Sequence, residues 1–509
     1  MASSISNATG ALLQPRGLEA LLRSNDPPLG VEREQIDIAV SQLKQELSMI
    51  DERVEHLKDE LDVLDGKREE ISASMQKLKT AGATVRYLPT EILKEIFEHT
   101  VVVDSKGRIL SLDTKNGPWL PSNVCKRWRE VALTSPALWV NIGLVVPRID
   151  QFAFRHSFLL GIQLARSANM PLSVEIDYSL SQNEESSALM HPYIIALVPT
   201  TLRWRRLHLR ATTSAFTSLK SSLGLLPNLE EVFVRGLNNI DRPIVHCFQA
   251  SQRLVSFRSF NCRDPIRDFP VPWNKLEKLW IGATKIDLLR LIENLRGMQN
   301  LQSLRLGKLS RHMEVPESTT SLVLPRLQRL ALKAELQEQA AESFLKHLQA
   351  PQLNSLETAV RGDSMTHNII SFLGRQDILL DRFGFTLPVV TNQNSPLIRE
   401  MFSHMPILTS LDVDSSPAMF NILRDFLTLP ADQVSHLPAP LLPQLRRLVH
   451  YCKLPPETPS EYFQMVLSRG KFGSLKSVKI HEHPLNQEFM DSVKTCRSAG
   501  IKVEFWPRK

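Results

Sequence analysis

Residue types that could carry out chemistry are present in this sequence, but they are not arranged as catalytic sites. His481-Glu482-His483 contains two possible metal ligands, yet neighbours on a strand point to opposite faces and no third ligand is indicated. Asp412 and Asp414 share a face of a predicted strand, where such a carboxylate pair is usually solvated. No phosphate-binding glycine loop, zinc-helix motif or nucleophile elbow occurs. The sequence therefore predicts no catalytic residues, no metal and no cofactor.

The charge distribution indicates where an acidic partner would bind. The chain has 509 residues and a formal net charge of +7. Between Val31 and Thr80, thirteen acidic and eight basic residues give −5, which leaves +12 for the rest of the chain. An acidic partner is therefore expected to bind outside that segment.

The cysteines and the absence of apolar runs indicate the compartment. Five cysteines are scattered without CxxC spacing, which is typical of free thiols in a reducing environment. Residues 1–30 lack a secretory pattern, and no apolar run approaches the roughly 20 residues of a membrane span. We predict a flexible leader over 1–30, no membrane association, and a cytoplasmic or nuclear location.

Apolar residues at alternating steps of three and four predict a coiled-coil helix over residues 31–80. The seam consists of Ile36, Val40, Leu43, Leu47, Ile50, Val54, Leu57, Leu61, Leu64, Ile71, Met75 and Leu78, with Arg68 as its one polar member. A lone helix would drift off a strict 3.5-residue repeat over this distance, so the pattern predicts a partner helix. Residues 36–78 are therefore expected to form a homodimer. A trimer, or a helix folding back on its own chain, stays open.

Residues 86–144 combine helix signals with many large apolar side chains. A first helix is predicted to begin at Pro89 and a second at Ser122 or Asn123, which are favourable caps. About sixty residues cannot bury all of these side chains, so part of the surface is predicted to bind a partner. Thr100 to Asn123 is predicted to be a polar surface loop.

These residues resemble the F-box, a short helical module that recruits a substrate receptor to a cullin–RING ubiquitin ligase through a Skp-type adaptor. The resemblance lies in Leu-Pro-x-Glu-Ile-Leu-x-x-Ile-Phe from Leu88, Val-Cys-Lys-x-Trp-Arg from Val124 and Pro-x-Leu-Trp from Pro136. It implies an adaptor-facing set of Leu88, Pro89, Ile92, Leu93, Ile96, Val124, Cys125 and Trp128. The layout of coiled coil, F-box over 86–144 and long C-terminal region is similar to the F-box families expanded in mushroom-forming fungi.

The segment Leu-x-x-Leu-x-Leu, with substitutions, recurs through the C-terminal region. Copies begin at Trp204, Leu229, Leu254, Leu276, Leu301, Leu327, Leu353, Leu380, Leu408, Leu445 and Leu475. Successive starts are 22 to 30 residues apart except for one step of 37, which fits leucine-rich repeats. Each strand-plus-helix unit buries its apolar face only by stacking on neighbours. We predict an irregular α/β solenoid, or horseshoe, over 204–509, with 145–203 as its lead-in.

Alternate residues of these strands would face the concave side of the horseshoe. The residues predicted there to bind a target are Arg206, His208, Arg210, Phe233, Arg235, Arg258, Phe260, Trp280 and Arg305. Arginines suit carboxylates and phosphates, and rings between them provide an apolar anchor. We therefore expect an acidic or phosphorylated protein target. From Leu353 onward the same positions become mixed in charge.

Two other functions stay open. The chain could be a non-catalytic coiled-coil and repeat scaffold unrelated to ubiquitin. The same arginines could bind RNA, although nucleic acid is disfavoured because no RNA-binding motif occurs.

Overall fold

A computed structural model of the chain describes most of its residues. These are 21–23, 27–100, 111–146, 153–178, 192–210, 226–236, 246–262, 264–282, 286, 288–309, 321–333, 336–360, 362–387, 395–415, 424, 426–428, 441–451, 459–480 and 487–506. Residues 1–20 and the His481-Glu482-His483 segment lie outside them. The chain divides into two compact units, Met1–Ile92 and Leu93–Lys509.

The first unit is dominated by one helix, α1, which spans Gly30–Ala81 and contains 52 residues. At 1.5 Å per residue, α1 is about 78 Å long. The long helix predicted over 31–80 is therefore confirmed. The apolar residues of the predicted seam are exposed, from Val40 through Leu78, and only Ile36 is partly covered. The partner helix stays a prediction.

Short helices follow, which we call the helical module. They are α2 (Thr90–Glu98), α3 (Trp119–Ser122), α4 (Lys126–Leu133) and a 3-10 helix (Pro136–Trp139). Phe97 is buried, and its ring centroid lies 5.1 Å from that of Trp128. Trp139 is also buried and donates from Nε1 to the carbonyl of Ala132 at 2.9 Å. The aromatic residues therefore form the interior of this module in the second unit.

The described part of the predicted surface loop is packed instead of exposed. Ser111 and Trp119 are buried. The Ser111 amide donates to the Gly143 carbonyl at 3.1 Å, and the Gly143 amide donates to Ser111 Oγ at 2.7 Å. This segment therefore covers the free edge of the first strand, which would otherwise leave backbone groups unpaired. The prediction of a polar surface loop is wrong for these residues, and residues 101–110 lie outside the described part.

The rest of the second unit is a parallel sheet with helices between its strands. Fourteen strands form one sheet in chain order, and β8 and β10 form a separate pair. The strands are β1 (Asn141–Val145), β2 (Leu172–Asp177), β3 (Trp204–Arg210), β4 (Glu231–Arg235), β5 (Ser256–Phe260), β6 (Lys278–Ile281), β7 (Ser303–Leu306), β8 (Leu322–Val323), β9 (Arg329–Leu332), β10 (Leu348–Gln349), β11 (Ser355–Ala359), β12 (Arg382–Leu387), β13 (Ser410–Ser415), β14 (Arg447–His450), β15 (Ser477–Ile480) and β16 (Lys502–Phe505). The helices are α5 (Ala153–Arg166), α6 (Pro192–Leu197), α7 (Pro265–Asp268), α8 (Leu288–Leu295), α9 (Glu338–His347), α10 (Asp363–Arg375), α11 (Ser395–Ser403), α12 (Pro459–Phe472) and α13 (Gln487–Ser498).

The strand positions agree with the repeat. Each of the ten copies from Leu229 to Leu475 becomes a strand that starts two residues after its first leucine. Within a copy the leucines are buried; Leu301, Leu304 and Leu306 are examples. A solenoid-like α/β region is therefore confirmed.

The sheet begins earlier in the chain than predicted. β1 pairs in parallel with β2, so the sheet begins at Asn141, inside the segment assigned from sequence to residues 86–144. At the other end, β16 pairs with β15. Residues 141–177 therefore belong to the sheet itself, where the sequence predicted the end of a helical domain and a lead-in.

Candidate binding face

One face of the sheet carries the residues that alternate with the buried leucines, and we call it the open face. On β7, for example, Leu304 and Leu306 are buried whereas Ser303 and Arg305 are partly exposed. The structure places every predicted target-binding residue on this face and buries none of them. Exposed are Arg206, Arg235 and Arg258; partly exposed are His208, Arg210, Phe233, Phe260, Trp280 and Arg305.

The register of the strands arranges this face in rows across the sheet. The first row contains Arg206, Glu231, Ser256, Lys278, Ser303 and Arg329 on consecutive strands of the sheet. The second row contains, two residues further along the strands, His208, Phe233, Arg258, Trp280 and Arg305. Five predicted target-binding residues are therefore consecutive neighbours in the second row.

The aromatic residues of the open face contact one another. Phe233 and Trp280 stack with ring centroids 6.0 Å apart and an interplanar angle of 5°, across the intervening strand β5. The His208 ring meets Phe233 edge-on at 5.7 Å, and the Phe260 ring lies 6.4 Å from Trp280. Arg305 lies over Trp280, with its guanidinium carbon 5.5 Å from the ring centroid. We call these residues the aromatic cluster.

A groove of about 350 Å³ lies beside the aromatic cluster. The polar and aromatic side chains that line it are Arg258, Lys278, Trp280, Ser303, Arg305, Arg329, Ser355 and Glu357. Four cations thus face one carboxylate. This excess of positive charge, with a ring in the wall, suits an acidic group attached to an apolar one.

Three predicted target-binding arginines lie near carboxylates of the same chain, and two of them are on β3. Arg210 lies 3.4 Å from Glu175 and 3.6 Å from Asp177, and both carboxylates are buried. Arg206 lies 3.8 Å from Glu231. The sequence did not reveal the pairs of Arg210, because β2 was assigned to a lead-in outside the repeat. The positive charge available to a target is therefore greatest beyond β4.

His208 is a neutral group in this environment. Burial lowers the pKa of His208, and the nearby Arg258 cation lowers it further. Because the ordinary pKa is already below 7, the ring is uncharged at neutral pH. His208 therefore contributes an aromatic surface and a hydrogen-bonding nitrogen to the face, and no charge.

A second groove, of about 550 Å³, lies further along the sheet. Glu357 and Asp412 flank Gly384, whose missing side chain leaves room between them: a Cβ there would lie 3.3 Å from Glu357 Cγ and 3.6 Å from Asp412 Cβ. Glu357 pairs with Lys333 and lies 3.7 Å from Arg305. Burial raises the pKa of Asp412. This groove is mixed in charge, in agreement with the mixed positions predicted from Leu353 onward.

The helical module carries the other predicted site. Of the adaptor-facing residues in the second unit, Ile96 and Val124 are 43% and 56% exposed, Cys125 is exposed and Trp128 is partly exposed. Leu93 differs: its exposure is 0%, so it belongs to the interior.

The predicted adaptor-facing residues of the first unit are also accessible. Pro89 and Ile92 are exposed, and Leu88 is partly covered. In the second unit, the sequence missed Leu120, a half-exposed leucine in the segment taken for a polar loop. Its signal was the apolar pair Trp119-Leu120 within an otherwise polar stretch.

No protein-family model matches the chain, and no curated protein matches it. Among the described residues, no group of three or more His, Cys, Asp or Glu side chains is placed to hold a metal ion. Within the same ranges, no helix has both the length and the apolar character needed to cross a membrane.

Proposed function

We propose that this chain is a substrate receptor of a cullin–RING (SCF-type) ubiquitin ligase. In this proposal the helical module binds a Skp-type adaptor, and the open face binds an acidic or phosphorylated protein target. The chain itself contributes no catalytic group.

The observation that carries the proposal is the exposure of apolar side chains within the F-box-like motif. Phe97 and Val131 are buried and hold the module together, whereas Ile96 and Val124 stay exposed on α2 and just before α4. Exposed apolar residues grouped in a short motif are typical of a protein-binding surface. The resemblance of the motif to the F-box identifies the adaptor as the partner that this surface fits.

A homodimer through α1 is the second part of the proposal. The described seam residues from Val40 to Leu78 are exposed on a helix of 52 residues. A second α1 would cover this stripe by knobs-into-holes packing. The receptor would then present two helical modules and two open faces.

Adaptor binding can be tested with the full-length chain. We expect Ile96→Glu with Val124→Glu to abolish co-purification of a recombinant fungal Skp-type adaptor and cullin, because each change places a charge in an apolar contact. A matched control is Leu133→Glu, since Leu133 is also exposed on the module but lies outside the motif. Circular dichroism confirms that each variant is folded.

Two results would contradict the assignment. One is wild-type protein that captures no adaptor. The other is equal capture by the motif variant and the control. Either result would favour the scaffold without a ubiquitin link.

A further inference from the structure

The first row of the open face continues with a regular alternation over ten strands. From β5 to β16, leaving out β8 and β10, the first-row residues are Ser256, Lys278, Ser303, Arg329, Ser355, Arg382, Ser410, Arg447, Ser477 and Lys502. Each member is the direct register partner of the next. Serine and a basic residue therefore alternate along the sheet. We call the five basic residues the cation row.

The charges of the cation row are accessible. All five basic residues are exposed, whereas the serines between them are partly or fully buried. Within the described part of the chain, Lys278, Arg329 and Arg447 form no ion pair. Arg382 lies 3.7 Å from Asp381, with side chains 70% and 47% exposed, and Lys502 pairs with Glu504, with side chains 73% and 35% exposed. Such an exposed pair is worth little and is easily exchanged for a ligand.

Backbone hydrogen bonds fix the spacing of the row. The Val255 carbonyl accepts from the amides of both Glu277 and Lys278, at 2.9 and 3.0 Å. The same fork recurs at Gln302, which accepts from Gln328 and Arg329 at 2.9 Å each. Since neighbouring strands lie 4.7–4.9 Å apart, cations on every second strand are about 9.5 Å apart, and the row is roughly 38 Å long.

This spacing selects the conformation of a ligand. A polyproline II peptide has three residues per turn and rises 3.1 Å per residue, so every third side chain returns to one side after about 9.3 Å. Over the whole row it stays within about 1 Å of register. An α-helix repeats a face every seven residues at about 10.5 Å and would fall about 4 Å out of register. A β-strand repeats a face after about 6.6 Å.

The charge and the groove define the ligand further. Each position of the row offers one positive charge, which matches one carboxylate; a phosphate with nearly two charges would require a second cation. Trp280 lines the same groove as Lys278, Ser303 and Arg329. Aromatic walls of this kind accept the proline rings of polyproline II ligands. The remaining residues of the ligand would therefore be proline or other apolar residues.

We propose that the cation row binds an extended acidic, proline-rich protein segment in the polyproline II conformation, with Asp or Glu at every third residue. The inference rests on the proposed function, in which the open face binds the target, and it names the chemistry of that target. Serine hydroxyls between the cations supply further hydrogen bonds to the carboxylates.

The spacing can be tested with two labelled peptides on the full-length chain. One peptide has five Glu-Pro-Pro repeats; the other has the same composition with all glutamates in one block. We expect fluorescence anisotropy to show about tenfold tighter binding of the repeating peptide, because only its carboxylates match every cation. Equal affinity for the two peptides would overturn the spacing argument.

The cation row itself is tested by removing two of its cations and, as a control, two exposed cations outside it. Arg329→Ser with Arg447→Ser removes two cations of the row, and we expect about tenfold weaker binding of the repeating peptide. The control is Arg446→Ser with Lys476→Ser, which removes two exposed cations that immediately precede first-row positions. We expect the control to bind like the wild type. Equal weakening by both variants would show non-specific attraction, and tighter binding of a uridine oligonucleotide than of the peptide would assign the row to RNA.

Adaptor capture in the same preparations separates this inference from the proposed function. Loss of the spacing effect with adaptor capture intact would overturn the peptide proposal alone. Peptide binding without adaptor capture would overturn the ligase assignment and leave the cation row in place.

Discussion

The helix α1 and the parallel sheet both contain repeating leucines, but these leucines are exposed on α1 and buried in the sheet. Leu47 and Leu78 on α1 are 58% and 74% exposed. In the sheet, Leu207 and Leu411 are 0% exposed. The repeat of the sheet runs over about 25 residues, so that each unit meets the next unit of the same chain. The heptad of α1 meets no comparable unit among the residues described around it.

The difference determines where the packing partner of each region lies, in the same chain or in another. A solenoid unit buries its apolar face on the next unit, which follows in the same chain after about 25 residues. A heptad seam is completed by another helix. The repeats of the sheet therefore bury their leucines within one chain, whereas the exposed seam of α1 predicts a partner helix.

The largest expected effect comes from breaking the seam of α1. Leu47→Lys, Val54→Lys and Leu61→Lys place three charges within the apolar seam. Losing three buried apolar contacts costs several kcal/mol, so we expect the dimer dissociation constant to rise more than about a hundredfold. We expect multi-angle light scattering to show a dimer for the wild type and a monomer for this variant.

The control places the same charges on other faces of α1. Ile38, Met49 and Val63 are also exposed, but they lie off the seam. Ile38→Lys, Met49→Lys and Val63→Lys should leave the dimer intact. A monomeric wild type, or equal dissociation by both triple variants, would refute the comparison.

The sequence predicted the sheet well wherever a leucine opens the repeat. Copies with leucine in the first slot all became strands, because that leucine and the residues three and five positions later are buried. β1 follows the same rule with Trp139 in the first slot, followed by Ile142 and Leu144. It was missed because Trp139 was already assigned to the helical module. In β16 the first slot is Gly500, which has a φ of +81° and no side chain to reveal the pattern.

The candidate site was predicted in its residues but not in its full extent. The nine residues predicted to bind a target follow from alternation within strands, and alternation is a local property. The cation row depends on register between strands, which local pattern alone does not fix. A register shift between Leu172 and Ser173 shows that one irregularity suffices to move a strand against its neighbour. The serines and cations of the row are the third residues of successive repeat copies, but only the pairing of the strands shows that they are direct neighbours.

A smaller effect on stability is expected from His450, which is buried in the interior of the sheet. Burial lowers the pKa of His450 to about 4, below its ordinary value of 6.5. Between these values the unfolded state binds more protons than the folded state, so the free energy of unfolding decreases as pH falls from about 6.5 toward 4 and is constant above 6.5. The full loss attributable to His450 is roughly 3 kcal/mol.

Urea unfolding isolates this contribution. We expect His450→Phe to lose less stability than the wild type between about pH 7.5 and pH 5, because the ring no longer takes up a proton on unfolding. Phenylalanine retains an aromatic ring against Tyr462, whose centroid lies 5.3 Å from that of His450. Identical pH dependence in the two proteins would show that burial does not lower the pKa of His450.

The smallest effect concerns the exposed rings of the sheet, where the comparison with α1 is closest. Phe233 and Trp280 are partly exposed, whereas the α1 seam is exposed, and the two rings already stack on each other at 6.0 Å. A double-mutant cycle of Phe233→Ala and Trp280→Ala should therefore give a coupling of about 1 kcal/mol in urea unfolding. The control cycle combines Phe233→Ala with Tyr451→Ala, since Tyr451 instead contacts Trp506, and should be additive within about 0.5 kcal/mol. Additivity in both cycles would mean that the open-face rings, like the leucines of α1, gain their stabilising contacts only from a partner.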